Sequence, residues 1–318
     1  MADRSQPLKF AAYGGAGWQP RKLALSAETN GIWGEFGINS EYGKLKAVLL
    51  HRPSDEIITN DPNMAQMLAS LDLARAQAQH DAIADIYRAH AVTVHLTELQ
   101  RQPSPNQMFM ADLFTMTPEG AILARPASEV RAGEERVAAQ NLATVGAPIV
   151  RSVSGRGTFE GADMLWLSPT HVIVGRGLRT NAVAIAQITT VLGEMGVRVT
   201  KVDLPVGSMH LMGMLRIVDH DLALGWPTRL AWAAADALKE EGYKLHFLPH
   251  LDEGLSGFAF NSVTLGPRKL FIAAGNPKTQ AFYESLGITC VTTPVDELAK
   301  ASGAIGCLTG IVAREMIE

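Results

Sequence analysis

The chain has 318 residues, of which 47% are hydrophobic and 19% charged, and its formal net charge is -4. That length can bury a large core, while the mild charge and the absence of lysine or arginine runs argue against nucleic acid as a partner. Two cysteines make no disulfide framework, so a cytoplasmic location is expected, and no apolar run approaches the ~20 residues of a membrane span.

Residues 1–30 lack a continuous apolar h-region and are rich in glycine and proline. They read as an irregular N-terminal arm, ordered by docking or by contacts within a homo-oligomer. Tyr13-Gly14-Gly15-Ala16-Gly17 follows no strand and opens no helix, so it is a weak nucleotide signal. Beyond the arm a pattern recurs five times: a strand-like run, an amphipathic helix, a small or glycine stop, then a short β-branched strand. The helices are expected over 71–90, 130–145, 180–195, 230–241 and 277–286, closed by Ala91, Gly146, Gly196, Gly242 and Gly287. Glycine after the last helical turn is the usual left-handed cap. The strands before the helices are expected at 47–50, 121–124, 172–174, 222–224 and 270–273, and those after them at 92–96, 149–150, 197–199, 243–248 and 288–291. Alternating strands and helices could form a doubly wound sheet, but no Gly-x-Gly-x-x-Gly loop opens the first helix. Five units with a returning final strand favour a closed α/β ring whose loops converge on one central site.

The chemistry-bearing residues lie on separate loops. Cys307, in Gly303-Ala304-Ile305-Gly306-Cys307-Leu308-Thr309, is expected at an exposed glycine-punctuated turn before an apolar strand. A lone cysteine is more often a small buried hydrophobe, but the glycines and the upstream partners favour a nucleophile here. His210, after Gly207-Ser208-Met209, suits a proton donor and acceptor near neutrality. Glu160 and Asp163, in Phe159-Glu160-Gly161-Ala162-Asp163, are expected to turn both carboxylates toward one ligand, joined by Asp112. Gathered carboxylates favour a cationic substrate and raise the pKa of a nearby thiol. Arg176 and Arg179, between a strand and a helix start, suit a substrate carboxylate. Asp219-His220-Asp221 and the pair His246 and His250 have metal-ligand residue types, but the first is expected in a strand with alternating faces and the second brackets Pro249. No metal and no other cofactor is therefore expected.

From the segment 41–53 to Glu315, and through Phe159–Asp163, Arg179-Thr180-Asn181, His210, 261–266 and the cysteine segment in that order, the chain resembles the amidinotransferase, arginine deiminase and dimethylarginine dimethylaminohydrolase superfamily. The resemblance implies the pentein fold, a five-bladed α/β propeller, as a single catalytic domain over 31–318. It further implies Cys307 as nucleophile at a guanidinium carbon, His210 as general acid and base, and Glu160 as its orienting partner. Glu160 would also bind the guanidinium, with Asp163 beside it in substrate binding, Asp112 would bind the other guanidinium nitrogens, and Arg179 a substrate carboxylate.

Three departures stand out. Met212 occupies the place of an aspartate two residues after the histidine, Ala111 replaces arginine in Phe-x-Arg-Asp, and the glycine pair of the carboxylate loop is Gly161-Ala162. Met209, Met212 and Met214 supply an adaptable apolar wall instead, which fits an N-substituted guanidine or a neutral ureido compound. The expected activity is a cofactor-free hydrolase cutting a C–N bond of a guanidino or ureido small molecule. The alternatives are an amidinotransferase that passes the group to an amine and a catalytically silent amino-acid-binding pentein.

Overall fold

The computed structural model of the chain describes residues 9–28, 31–59, 61–98 and 103–318. Of the N-terminal arm, residues 1–8, 29 and 30 therefore lie outside the described residues. The rest of the arm holds two short 3-10 turns, Ala11–Tyr13 and Leu25–Glu28, and is fastened where the Leu25 N–H donates to Glu119 Oε2 at 2.9 Å.

Five three-stranded sheets follow, and the first is built from both ends of the chain. β1 (Leu45–Leu50) runs parallel to β2 (Thr93–Leu96) across the helix α1 (Leu73–Ala89), and antiparallel to the last strand. The second sheet is β3 (Phe114–Thr117), β4 (Gly120–Leu123) and β5 (Ile149–Ser152), with α2 (Glu134–Thr144) as crossover. The third is β6 (Met164–Ser168), β7 (His171–Arg176) and β8 (Arg198–Asp203), with α3 (Ala182–Glu194). The fourth is β9 (Leu215–Asp219), β10 (Leu222–Gly225) and β11 (Lys244–Phe247), with α4 (Trp232–Glu240). A short helix, α5 (Leu251–Ser256), leads to the fifth: β12 (Val263–Gly266), β13 (Lys269–Ala273) and β14 (Thr289–Thr293), with α6 (Pro277–Ser285). The chain ends with α7 (Ile305–Leu308) and β15 (Gly310–Arg314).

All five expected helices and the ten strands flanking them are present. The second helix begins later than expected, after a separate 3-10 turn at Glu129–Arg131, because Gly133 at φ 92 breaks the path. Four helices end on glycines with φ between 74 and 82, and the first ends on Ala91 at φ 57, so the position demands a left-handed residue even without glycine. The sequence reading sets no bounds for the strands that complete each sheet on its buried side, β3, β6, β9 and β12, nor for the helix α5. Their runs are buried almost throughout, without the period-2 alternation that marks a half-exposed strand. The parallel partners β2, β5, β8, β11 and β14 carry the exposed positions instead.

The strand following each β-hairpin thus faces outward, while β3, β6, β9, β12 and β15 pack inward as an α/β propeller. β15 closes the ring on β1, pairing Leu45 with Arg314 and Leu49 with Gly310. Arg314, buried at 3% exposure, donates through Nη1 to the carbonyls of Gly43 at 2.9 Å and Thr264 at 2.7 Å, pinning the closing strand to the neighbouring sheet. Replacing Arg314 with leucine should orphan two buried carbonyls at about 1–3 kcal/mol each. Urea unfolding should show a lower midpoint with an unchanged slope, and an unchanged midpoint would refute this account of closure.

Candidate active site

The segments that lead into the five inner strands meet at one end of the ring. Asp112 ends a 3-10 turn, Met110–Asp112, just before β3. Glu160 and Asp163 flank and end another, Gly161–Asp163, before β6. His210 caps the turn Leu211–Gly213 before β9, Asn261 lies two residues before β12, and Cys307 sits in α7 before β15. Close approach is what the loop residue Gly161 allows: a Cβ there would lie 2.2 Å from the Phe114 carbonyl oxygen and 2.5 Å from that of Ala111. This explains why one glycine of the altered pair is kept while Ala162 is tolerated beside it.

His210 Nε2 lies 2.6 Å from Glu160 Oε2 and 3.8 Å from Asp112 Oδ1. Glu160 is fully buried and also meets Arg179 at 3.3 Å and Arg131 at 3.5 Å. Arg131 was not singled out by the sequence reading. It pairs with Asp112 at 2.7 Å and with Glu134 at 2.8 Å, and it lies 19 residues after Asp112 just as Arg179 lies 19 after Glu160, a repeat that could have marked it. Arg179 lines the same cleft as Asp112, Arg131, Asn106 and Cys307, and its Nε has no partner among the described residues. Asp112 Oδ1 is likewise buried without a hydrogen-bond partner.

Cys307 and His210 share a cavity with Asn261, Met212 and Trp226. The thiol is buried at 8% exposure within a four-residue helix rather than exposed at a turn, so the expected setting of Cys307 is corrected. Asn261 holds it from two sides: Nδ2 donates to Sγ at 2.9 Å and Oδ1 accepts from the Cys307 N–H at 3.1 Å.

Three other expectations differ from the structure. Asp163 does not turn toward a ligand; its Oδ2 accepts from the Thr180 hydroxyl at 2.5 Å and its Oδ1 from the Leu211 N–H at 2.9 Å. It therefore fixes the segment that carries His210, and Thr180 beside Arg179 as well. Arg176 is spent at the surface on Asp203, 2.6 Å away. Of Asp219-His220-Asp221 only Asp219 is in a strand, as the last residue of β9; His220 and Asp221 form the turn to β10, and the ligand atoms of the three do approach one another. Both carboxylates there are taken by Arg268, at 2.8 Å each, which disfavours a cation; His246 and His250 join no such group among the described residues. Asp112, Glu160 and His210 are also close enough to hold an ion, but two guanidinium groups already neutralise them.

The sequence model described as arginine deiminase matches residues 44–228, more than half of the chain. The chain belongs to the arginine deiminase family. A dimethylarginine dimethylaminohydrolase of Streptomyces coelicolor is 28% identical over 283 residues, 86% of this chain and 99% of that protein. An arginine deiminase of Rhodococcus opacus is 48% identical, but over only 65 residues, 19% of this chain and 16% of that one. A citrulline-bound mutant of dimethylarginine dimethylaminohydrolase from Pseudomonas aeruginosa superposes with TM-score 0.70 at 21% identity, covering 85% of this chain and 99% of that one. The fold of this family member is therefore the pentein propeller, and none of its helices among the described residues is long and apolar enough to cross a membrane.

The burial of the family member's site sets its protonation. Burial pulls the His210 imidazolium down, but Asp112, the Glu160 hydrogen bond and Asp163 overcome it and raise its pKa to about 9. Glu160 is correspondingly held low, its burial outweighed by His210, Arg131 and Arg179. Burial raises the Asp163 carboxyl to about 6. It also raises the Cys307 thiol to about 11, with Asp112 adding to the rise and Asn261 and the buried Arg216 opposing it. The expected effect of carboxylates on the thiol is present, but desolvation is the larger cause. At neutral pH the empty site pairs an imidazolium with a thiol. Inactivation by iodoacetamide should therefore rise about tenfold per pH unit through neutrality, because only thiolate reacts, and level off near pH 11. Asp112→Asn should shift that curve to lower pH. A wild-type plateau at neutral pH would overturn this assignment.

Proposed function

We propose that the protein is a cysteine-dependent hydrolase that cuts a C–N bond of a guanidino or ureido small molecule bearing an anionic end. The observation that carries this reading is a pair of polar atoms without hydrogen-bond partners among the described residues, on two residues that line one cleft with Cys307: an acceptor, Asp112 Oδ1, and a donor, Arg179 Nε. A ligand that offers a guanidinium N–H to the first and a carboxylate to the second, with Arg131 close by, would complete both.

In this reading the Cys307 thiolate adds to the sp² carbon between the nitrogens. The bound cation lies beside the thiol and favours its ionisation, the thiol proton passing to solvent because His210 is already protonated. His210, protonated and oriented by Glu160, gives its proton to the leaving nitrogen as the C–N bond breaks. The amine departs and a carbon–sulfur adduct remains. Neutral His210 then takes a proton from water as the water oxygen attacks that carbon. Collapse breaks the carbon–sulfur bond, returning the thiolate and a ureido product. Asn261 keeps the sulfur in place through both steps, and Asp163 keeps His210 in place through the Leu211 N–H.

The relatives support a substituted substrate: the long match is to a dimethylarginine dimethylaminohydrolase, and the arginine deiminase match is short. Met212, buried at 8% exposure beside Cys307, offers no acceptor to an unsubstituted terminal N–H. Arginine and its ω-methylated forms should be supplied with and without glycine, followed by mass spectrometry of products and of the acid-quenched protein. Amine and ureido product released without added glycine, with an adduct on Cys307, is the expected result. Product formed only when an amine is added would establish a transferase instead. Cys307→Ser should lose the adduct and at least about 10⁴-fold in kcat, and full turnover by that variant would sink covalent catalysis at this residue. Asn261→Ala should lower kcat more than it raises KM, because it holds the nucleophile rather than the ground-state ligand.

A further inference from the structure

Two cavities meet at Cys307. Cys307, Ser302 and Met209 line both, but Asp112, Arg131 and Arg179 line only the polar one and His210 lines only the other. The second cavity has a volume of about 250 Å³ and is walled mainly by Met212, Met214, Trp226, Phe258 and Phe260. Its one charged wall residue besides His210 is Arg229, whose guanidinium stacks 4.8 Å from the centre of the Trp226 ring.

We propose that the amine expelled by this enzyme carries a bulky apolar substituent that lodges in this second cavity, a proposal that rests on the hydrolytic reading above. An acid must lie within hydrogen-bond reach of the nitrogen it protonates. The leaving nitrogen therefore points at the His210 wall, and whatever it carries runs into the cavity that His210 lines. Size comes next. An apolar cavity of roughly 150 Å³ holds a benzene ring, so 250 Å³ accommodates a phenyl ring with a short linker. A methyl or dimethyl group would leave most of that volume unfilled and most of the apolar wall in contact with water. Charge decides the remaining choice, since Arg229 and protonated His210 both repel a cationic tail. The leaving group is then a primary amine with an arylalkyl or long alkyl arm, and the retained product is the ureido acid. No oxidant or further reactant enters: water supplies the oxygen of the product, and the proton from His210 leaves on the amine.

The test is a series of L-arginines substituted on one terminal nitrogen with methyl, butyl, 2-phenylethyl or 2-aminoethyl, with released amine measured to obtain kcat/KM. Each buried methylene is worth about fourfold, so the 2-phenylethyl compound should exceed the methyl compound by about tenfold or more. The 2-aminoethyl compound should fall at or below the methyl one. A methyl compound that is the best of the series, or equal turnover of the 2-phenylethyl and 2-aminoethyl compounds, would overturn the proposal while leaving the hydrolase standing. If no member of the series releases amine, both readings fail together.

Gly213 gives a second handle. It lines the cavity, and a Cβ built there would meet nothing within 4 Å, so the backbone has room for the branch point of Gly213→Leu, whose side chain should take up space at the cavity. It should lower the ratio of 2-phenylethyl to methyl turnover at least about tenfold. Leu255→Trp, on the exposed wall of the same cavity, should act in the same direction and serves if the first variant does not fold. A ratio unchanged in a folded variant of either kind would count against this cavity as the substituent's site.

Discussion

The pairing of the last strand with the first holds both the ring and the site together. β15 adds to β1 at the far end of the chain, and Cys307 stands three residues before that strand. The segment that closes the propeller is therefore also the one that carries the sulfur. Its neighbours arrive by the same rule. Asp112, Glu160, His210 and Asn261 each sit on the stretch entering an inner strand of one of the other four sheets. A fivefold repeat thus delivers five different side chains to one place without any single segment having to contain the chemistry. Because every contribution comes from a different sheet, the site exists only once the ring is complete.

Such a site concentrates charge where the protein can least easily solvate it. Taking a carboxylate or a guanidinium out of water costs several kcal/mol even after relaxation, and good pairing must offset this. Glu160 has no exposure at all and is surrounded by His210, Arg131 and Arg179, while Asp112 shares Arg131 with Glu134. Alternation of sign is what makes the cluster tolerable. The two protonation states are also driven apart: burial makes the thiolate at Cys307 costly, and Asp112, one of the carboxylates that keep His210 protonated, adds to that cost. The sulfur and the imidazole therefore cannot both be ready in the empty site. Only an added positive charge next to the sulfur reverses the balance, so reactivity toward water or stray electrophiles is low until a cation is bound.

Much of this was legible in the chain, and the gaps follow a physical pattern. The helices and the strands beside them carry alternation and glycine stops, which are local signals. The inner strands are buried on both faces and lose the alternation, so Met164–Ser168 and Leu215–Asp219 look like generic core. Cys307, His210, Glu160, Asp112 and Arg179 are drawn together as their order along the chain suggested. The reading of Asp163 failed for a different reason. Three residues from Glu160 on a loop does not fix a direction, and the tight 3-10 turn at Gly161–Asp163 swings its carboxylate under Thr180 and Leu211. Arg131 was hidden because a lone arginine ahead of a helix resembles a surface cation; only burial at 3% reveals its three carboxylate partners.

The departures from the family pattern also become coherent when taken together. At position 212, where the resemblance leads one to expect an aspartate, Met212 packs with Ala111, Ala162 and Cys307 and adds no charge beside the sulfur. With methionine there, the cavity on the His210 side holds no carboxylate among its lining residues and gathers Met212, Met214, Trp226, Phe258 and Phe260, while Asp112 stands on the side of Arg131 and Arg179. The two sides of Cys307 thus differ in kind: one is ionic and matched to a charged head, the other is apolar and shaped by flexible side chains. The proposed substrate matches that asymmetry, with its charge and its bulk on opposite sides of the bond proposed to break.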